Sequence, residues 1–125
     1  MAFNKRILIV DDEEEFLNFM EEALEIRGFD VHTTRNAIEA GIELATKRPD
    51  LILMDIRMPG INGLQACEAI KKNPNTKEIP VVIISAISDT SEIKKAYKLG
   101  VTDYFVKPLD IAKAVNRIKE ILGVQ

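Results

Sequence analysis

Short apolar, β-branched runs alternate five times with longer stretches whose apolar residues recur three and four apart. Few folds accept that alternation. The short runs fall at 7–10, 29–34, 51–54, 81–84 and 103–106. Between them, Phe16, Met20, Ala23, Leu24 and Arg27 trace one helical face, and Leu64, Cys67, Ile70 and Lys71 trace another. Ile111, Ala114, Val115, Ile118 and Leu122 form the cleanest stripe. Gly28 and Gly100 stand where helices would end, Pro49 and Pro80 precede strands, and Pro74 lies in a polar turn. The runs at 51–54 and 81–84 are apolar without interruption, which predicts strands covered on both faces. Five βα units with right-handed crossovers predict a doubly wound, three-layer α/β domain with a parallel sheet.

The chain's 125 residues match one domain, since a typical domain is about 150 residues. With 46% hydrophobic and 30% charged residues it can bury a core. A net charge of −3 argues against a nucleic-acid binder held by phosphate contacts. A single cysteine excludes a disulfide framework and a cysteine-based zinc site, and fits a reducing, cytoplasmic setting. No apolar run approaches the roughly 20 residues of a bilayer span, and the first residues lack a signal-peptide core.

In open α/β sheets ligands bind beyond the carboxyl ends of the strands. The first strand there delivers Asp11 and Asp12, the third Asp55, the fourth Ser85, and the fifth Lys107 followed by Pro108. The second ends in Thr33, Thr34 and Arg35 without an acid. Acids after a strand often cap the next helix, and the acidic run 11–15 taken alone fits that reading. Polar groups at four strand ends on one edge do not. Converging carboxylates repel, and a hard cation such as Mg²⁺ with oxygen ligands relieves them. Lys107 offers an ammonium for a phosphoryl oxygen and Ser85 a hydroxyl, which together make a phosphoryl-transfer set. Crowding of this kind predicts that metal-free protein gains stability when either Asp11 or Asp12 becomes asparagine.

These residues lie in ILIVDDE at 7–13, LILMDIRMPG at 51–60 with Asn62 and Gly63, IISA at 83–86, and Gly100 leading to DYFVKP at 103–108. In that order and spacing the whole chain resembles the receiver domain of two-component response regulators. The resemblance implies a flavodoxin-like (βα)5 fold with strand order 2-1-3-4-5, and one receiver domain over 1–125 with no output domain. It implies Asp55 as phosphoacceptor for a phosphoryl group from a sensor histidine kinase or histidine phosphotransfer protein. Asp11, Asp12, Asp55 and the backbone carbonyl of Arg57 would hold Mg²⁺. Lys107 would contact the phosphoryl group, with a cis Lys107–Pro108 peptide aiming it. Ser85 and Tyr104 would form the switch, with Tyr104 turning from exposed to buried as Ser85 moves inward.

A charge-assisted hydrogen bond from Ser85 contributes about 1.5–3 kcal/mol, against about 5.5 kcal/mol to reverse a 1:99 population, so Lys107 and Mg²⁺ must share the task. The output would pass to a downstream effector protein through the fourth helix, fifth strand and fifth helix, in a monomer or weak dimer without nucleic acid or membrane. The chain would act only on its own Asp55 and would not be a conventional enzyme. Two departures stand out: serine replaces the commoner threonine at 85, and Arg57 and Ile87 occupy positions that tune acyl-phosphate lifetime in the family.

Two other classes compete. A phosphohydrolase of haloacid dehalogenase type would want a second acid two residues after the nucleophile, where this chain has Arg57. An adaptor that has lost phosphorylation would not need the complete set of acids, hydroxyl and lysine. Elsewhere, His32 reads as a strand residue facing solvent, and Cys67 as a buried inert thiol. Gly60 and Gly63 form no nucleotide-binding motif and fit the turn and helix start after Asp55. Lys94, Lys95 and Lys98 read either as a solvated helix face or as part of a partner surface.

Overall fold

Apolar runs this short can only be shielded on both sides by pairing into a sheet and covering it with helices. The computed structural model, which describes residues 3–57, 62–86 and 88–125, does so. Strands β1 (Arg6–Val10), β2 (Asp30–Thr34), β3 (Leu51–Asp55), β4 (Val81–Ser85) and β5 (Asp103–Val106) alternate with α1 (Glu14–Ile26), α2 (Ala37–Thr46), α3 (Gly63–Lys72), α4 (Thr90–Lys98) and α5 (Ile111–Leu122). All pairings are parallel and the strand order is β2-β1-β3-β4-β5, as the resemblance implied.

Alternate residues of the central strands enter opposite cores. Ile7, Ile9, Leu51, Leu53, Val82 and Ile84 pack with Leu17, Met20, Leu24, Val115 and Ile118 of α1 and α5. Leu8, Val10, Ile52, Met54, Val81 and Ile83 pack with Ala40, Cys67, Ile70 and Ala96 of α2, α3 and α4. Burial on both faces is why these strands carry no polar alternation. Gly28 and Gly100 adopt φ of 98° and 99° just after α1 and α4, where a side chain would be strained.

The third and fourth strands run one residue beyond their apolar stretches. Asp55 pairs with Ile84 and Ser85 with Val106, so both polar residues belong to the ladder itself. Rigid strand ends therefore carry them. Four helices begin under a side-chain cap, from Asn36, Asn62, Asp89 and Asp110. The fifth, α1, follows Glu13, whose side chain makes no capping bond.

Candidate functional site

Three carboxylates converge where β1 and β3 end. Asp55 closes β3 and is buried, Asp11 follows β1 with 1% of its surface exposed, and Asp12 beside it is open to solvent. One oxygen from each lies within 4.8 Å of the others. The β1 end holds its shape because the Asp11 N–H donates to the Thr34 carbonyl at 3.1 Å and Asp11 Oδ1 accepts the Glu13 N–H at 2.9 Å. The β3 end is fixed in the same way, with the Arg57 N–H donating to Asp55 Oδ1 at 2.9 Å.

Behind Asp55, α3 starts almost on the strand backbone. A Cβ on Gly63 would fall 2.5 Å from the Asp55 carbonyl oxygen and 2.4 Å from Ile56 Cα, so only glycine fits there.

Lys107 reaches across from the end of β5. Its Nζ lies 2.8 Å from Asp11 Oδ2, 2.6 Å from Glu13 Oε1 and 3.4 Å from Asp55 Oδ2, and its side chain is 13% exposed. The Phe16 ring lies beneath it, with the ammonium 4.2 Å from the ring centroid. The Lys107–Pro108 peptide is cis, as the resemblance implied.

Electrostatics follow from this packing. Burial pushes the Asp55 carboxyl above its ordinary value. The Arg57 N–H pulls it back, Asp11 adds to the rise, and Lys107 opposes it. For Lys107, burial works against the charge, but the bonds with Asp11 and Glu13 outweigh it and hold the ammonium more firmly charged than usual. An edge bearing three carboxylates against one ammonium suits a hard cation with oxygen ligands, so the donor set fits Mg²⁺.

Ser85 ends β4 fully buried. Its hydroxyl shares a hydrogen bond with that of Tyr104, and burial raises the Tyr104 phenol above its usual range. Tyr104 is already half-buried and packs against the core of Leu8, Ile83 and Ala96. The expected exposed starting position of this ring is therefore not the one observed: the core offers it a pocket and Ser85 offers its hydroxyl a partner.

Asp11, Asp12, Asp55 and Lys107 thus meet at one edge, Arg57 adjoins them through its backbone, and Ser85 and Tyr104 form a bonded pair. Ile87 and the stretch 58–61, including Gly60, lie outside the described residues. The structure sets Asp11 and Asp12 apart. Asp11 pairs with Lys107 at 2.8 Å whereas Asp12 is exposed, so of these two we expect crowding to be relieved at Asp12.

Sequence reasoning missed Glu13 and Phe16. Glu13 stands in a run of five acids, where composition cannot single one out, and the sequence shows Phe16 only as part of a helical stripe. Its neighbourhood to Lys107 depends on where β5 lies, which no local pattern encodes.

Away from the edge, His32 on β2 is partly exposed with Asp30 at 3.3 Å. Cys67 is fully buried, and burial pushes its thiol up to about 11. Lys94, Lys95 and Lys98 are exposed, Lys95 lying 3.7 Å from Glu92.

Comparison with known proteins agrees with this geometry. Residues 7–119 match the response regulator receiver domain family. The response regulator ArlR of Staphylococcus saprophyticus is 40% identical over 121 residues, 96% of this chain and 53% of that protein. The phosphate regulon transcriptional regulatory protein PhoB of Rhizobium meliloti is 32% identical over 117 residues, 94% of this chain and 52% of that protein. The chain thus spans about half the length of these relatives. A two-component response regulator from Clostridium difficile superposes with a TM-score of 0.91 at 27% identity, covering 96% of this chain and 97% of that one. Among the described residues no helix is long and apolar enough to cross a membrane.

Proposed function

This chain belongs to the response regulator receiver domains, phospho-accepting signalling modules that bind Mg²⁺ at an acidic pocket, and on that premise we propose that Asp55 is its phosphoacceptor. The observation that carries the reading is the position of the Lys107 ammonium among carboxylates, 3.4 Å from Asp55. The Asp55 carboxylate attacks the phosphorus of a phosphohistidine on a kinase or phosphotransfer protein. An oxygen–phosphorus bond forms as the phosphorus–nitrogen bond breaks, leaving an acyl phosphate. Asp11, Asp12, Asp55 and the carbonyl of Arg57 would hold Mg²⁺, which supplies positive charge against the phosphoryl oxygens when bound.

Lys107 turns from carboxylate to phosphoryl oxygen, and the Ser85 hydroxyl leaves Tyr104 to donate to another. Release of the Ser85–Tyr104 bond frees Tyr104 to repack beside α4. The signal then passes to an effector surface on α4, β5 and α5, where Lys94, Lys95 and Lys98 are exposed. The chain changes only its own Asp55 and works in the cytoplasm.

Incubation with Mg²⁺ and acetyl phosphate, followed by intact mass, tests this reading. We expect one phosphoryl adduct that decays slowly and is absent from Asp55→Asn. Continuous release of phosphate would instead indicate a phosphohydrolase, and no adduct under any condition an adaptor.

A further inference from the structure

Glu13 belongs to neither the acid cluster nor the switch pair, yet it makes the shortest of the three contacts to Lys107, at 2.6 Å. An ammonium has three protons to donate, and Asp11, Glu13 and Asp55 are three acceptors. Lys107 is therefore fully committed, and a phosphoryl oxygen can be served only by displacing a carboxylate. Asp11 and Asp55 both have other work in the phosphorylated state, one toward the cation and the other as the phosphorylated residue itself. Glu13 alone keeps its full charge and its claim on the lysine.

Two further observations point the same way. Asn36, Asn62, Asp89 and Asp110 cap their helices, whereas Glu13 at the head of α1 gives its side chain to Lys107 instead. Phe16, one turn further along α1, lies under the same ammonium. The start of α1 is thus a berth for Lys107, with a carboxylate at its side and a ring at its base.

We propose that Glu13 is a positioning residue that holds Lys107 in the resting state and competes with the phosphoryl group for it, setting how readily Asp55 gains and keeps that group. The proposal rests on Asp55 being the phosphoacceptor. It makes the occupancy of the phosphorylated state adjustable at a residue outside the reacting set, without touching Asp55, Ser85 or the cation ligands.

The probe is beryllofluoride, a phosphoryl mimic, titrated at saturating Mg²⁺ and followed by backbone amide resonances. Glu13→Gln keeps the length of the side chain and the uncapped helix start while removing the charge. Its half-saturating concentration should fall by about two- to fivefold, the range of an ion pair open to solvent. Glu13→Asp, which restores the carboxylate, should return it toward that of the unaltered protein. A residue needed only for the start of α1 would shift urea unfolding and leave the titration alone. Equal titrations for Glu13→Gln and the unaltered protein, or no return with Glu13→Asp, would overturn the proposal. Failure of the unaltered protein to bind beryllofluoride would instead remove the phosphoacceptor reading beneath it.

Discussion

Asp55 and Asp103 stand at opposite edges of the sheet, one closing β3 and the other opening β5, and they use similar ingredients to opposite effect. Each meets a backbone N–H and a cation. At Asp103, burial pushes the carboxyl up, but the Arg117 guanidinium at 2.7 Å, the Tyr104 N–H and the Tyr97 hydroxyl outweigh it and hold it below its ordinary value. At Asp55 burial prevails and the carboxyl is raised. The difference lies in how the cation is shared. Among the described residues Arg117 pairs only with Asp103, whereas Lys107 is divided among Asp11, Glu13 and Asp55. An undivided partner makes a structural pair; a divided one leaves unmet negative charge, which is the property a site for cations and phosphoryl groups requires.

Removing the shared cation should break this contrast most strongly. Lys107→Met leaves Asp11 and Asp55 uncompensated, so metal-free stability should fall by about 3 kcal/mol. Mg²⁺ should restore most of it by binding only the folded chain. Urea unfolding with chelator and with Mg²⁺ measures both effects, and a loss that Mg²⁺ does not recover would contradict the divided-cation account.

The two aspartates should next part by sign. Asp103→Asn should cost about 1–2 kcal/mol at neutral pH, since several bonds to a charged acceptor are weakened. Asp55→Asn should add about 1 kcal/mol to the metal-free protein. Their pH windows also differ. The contribution of Asp103 is complete above the ordinary value of 3.8 and is lost as pH falls through its lower folded value. The cost at Asp55 is present above its raised folded value and fades as pH falls from there toward 3.8. Unfolding of both variants across acid pH checks these directions; parallel curves would mean that the two sites do not differ as described.

The smallest change concerns the exposed member of the cluster. Asp12→Asn should raise metal-free stability by about 0.5 kcal/mol, because a solvated charge repels its neighbours only weakly. The same change at Asp11 should lower it, through loss of the pair with Lys107. A thermal scan in chelator distinguishes the two, and gains of equal size at both positions would restore the uniform crowding expected from sequence.

How much of this was legible in sequence varied with how local the physics is. The strands β3 and β4 were readable because burial on both faces leaves uninterrupted apolar runs. The helices α1, α3 and α5 were readable because each buries one stripe. No stripe marked α2, whose Ile38 and Ile42 are 71% and 62% exposed while Ala40 is buried, so apolar residues face both ways. The edge residues Asp11, Asp55, Ser85 and Lys107 were found because topology alone assigns strand ends to one side. What joins them was not: the lysine's preference for Glu13, its seat on Phe16 and the resting bond of Tyr104 all depend on contacts between distant segments.

Cys67 carries a consequence of a different kind. With no surface exposed and its thiol raised to about 11, Cys67 is both out of reach of a reagent and held in the unreactive thiol form at pH 7. A second cysteine introduced on exposed α4, for example at Lys94, would then be alkylated almost alone. The natural chain serves as its own silent background for attaching a reporter dye, and no compensating replacement in the core is needed.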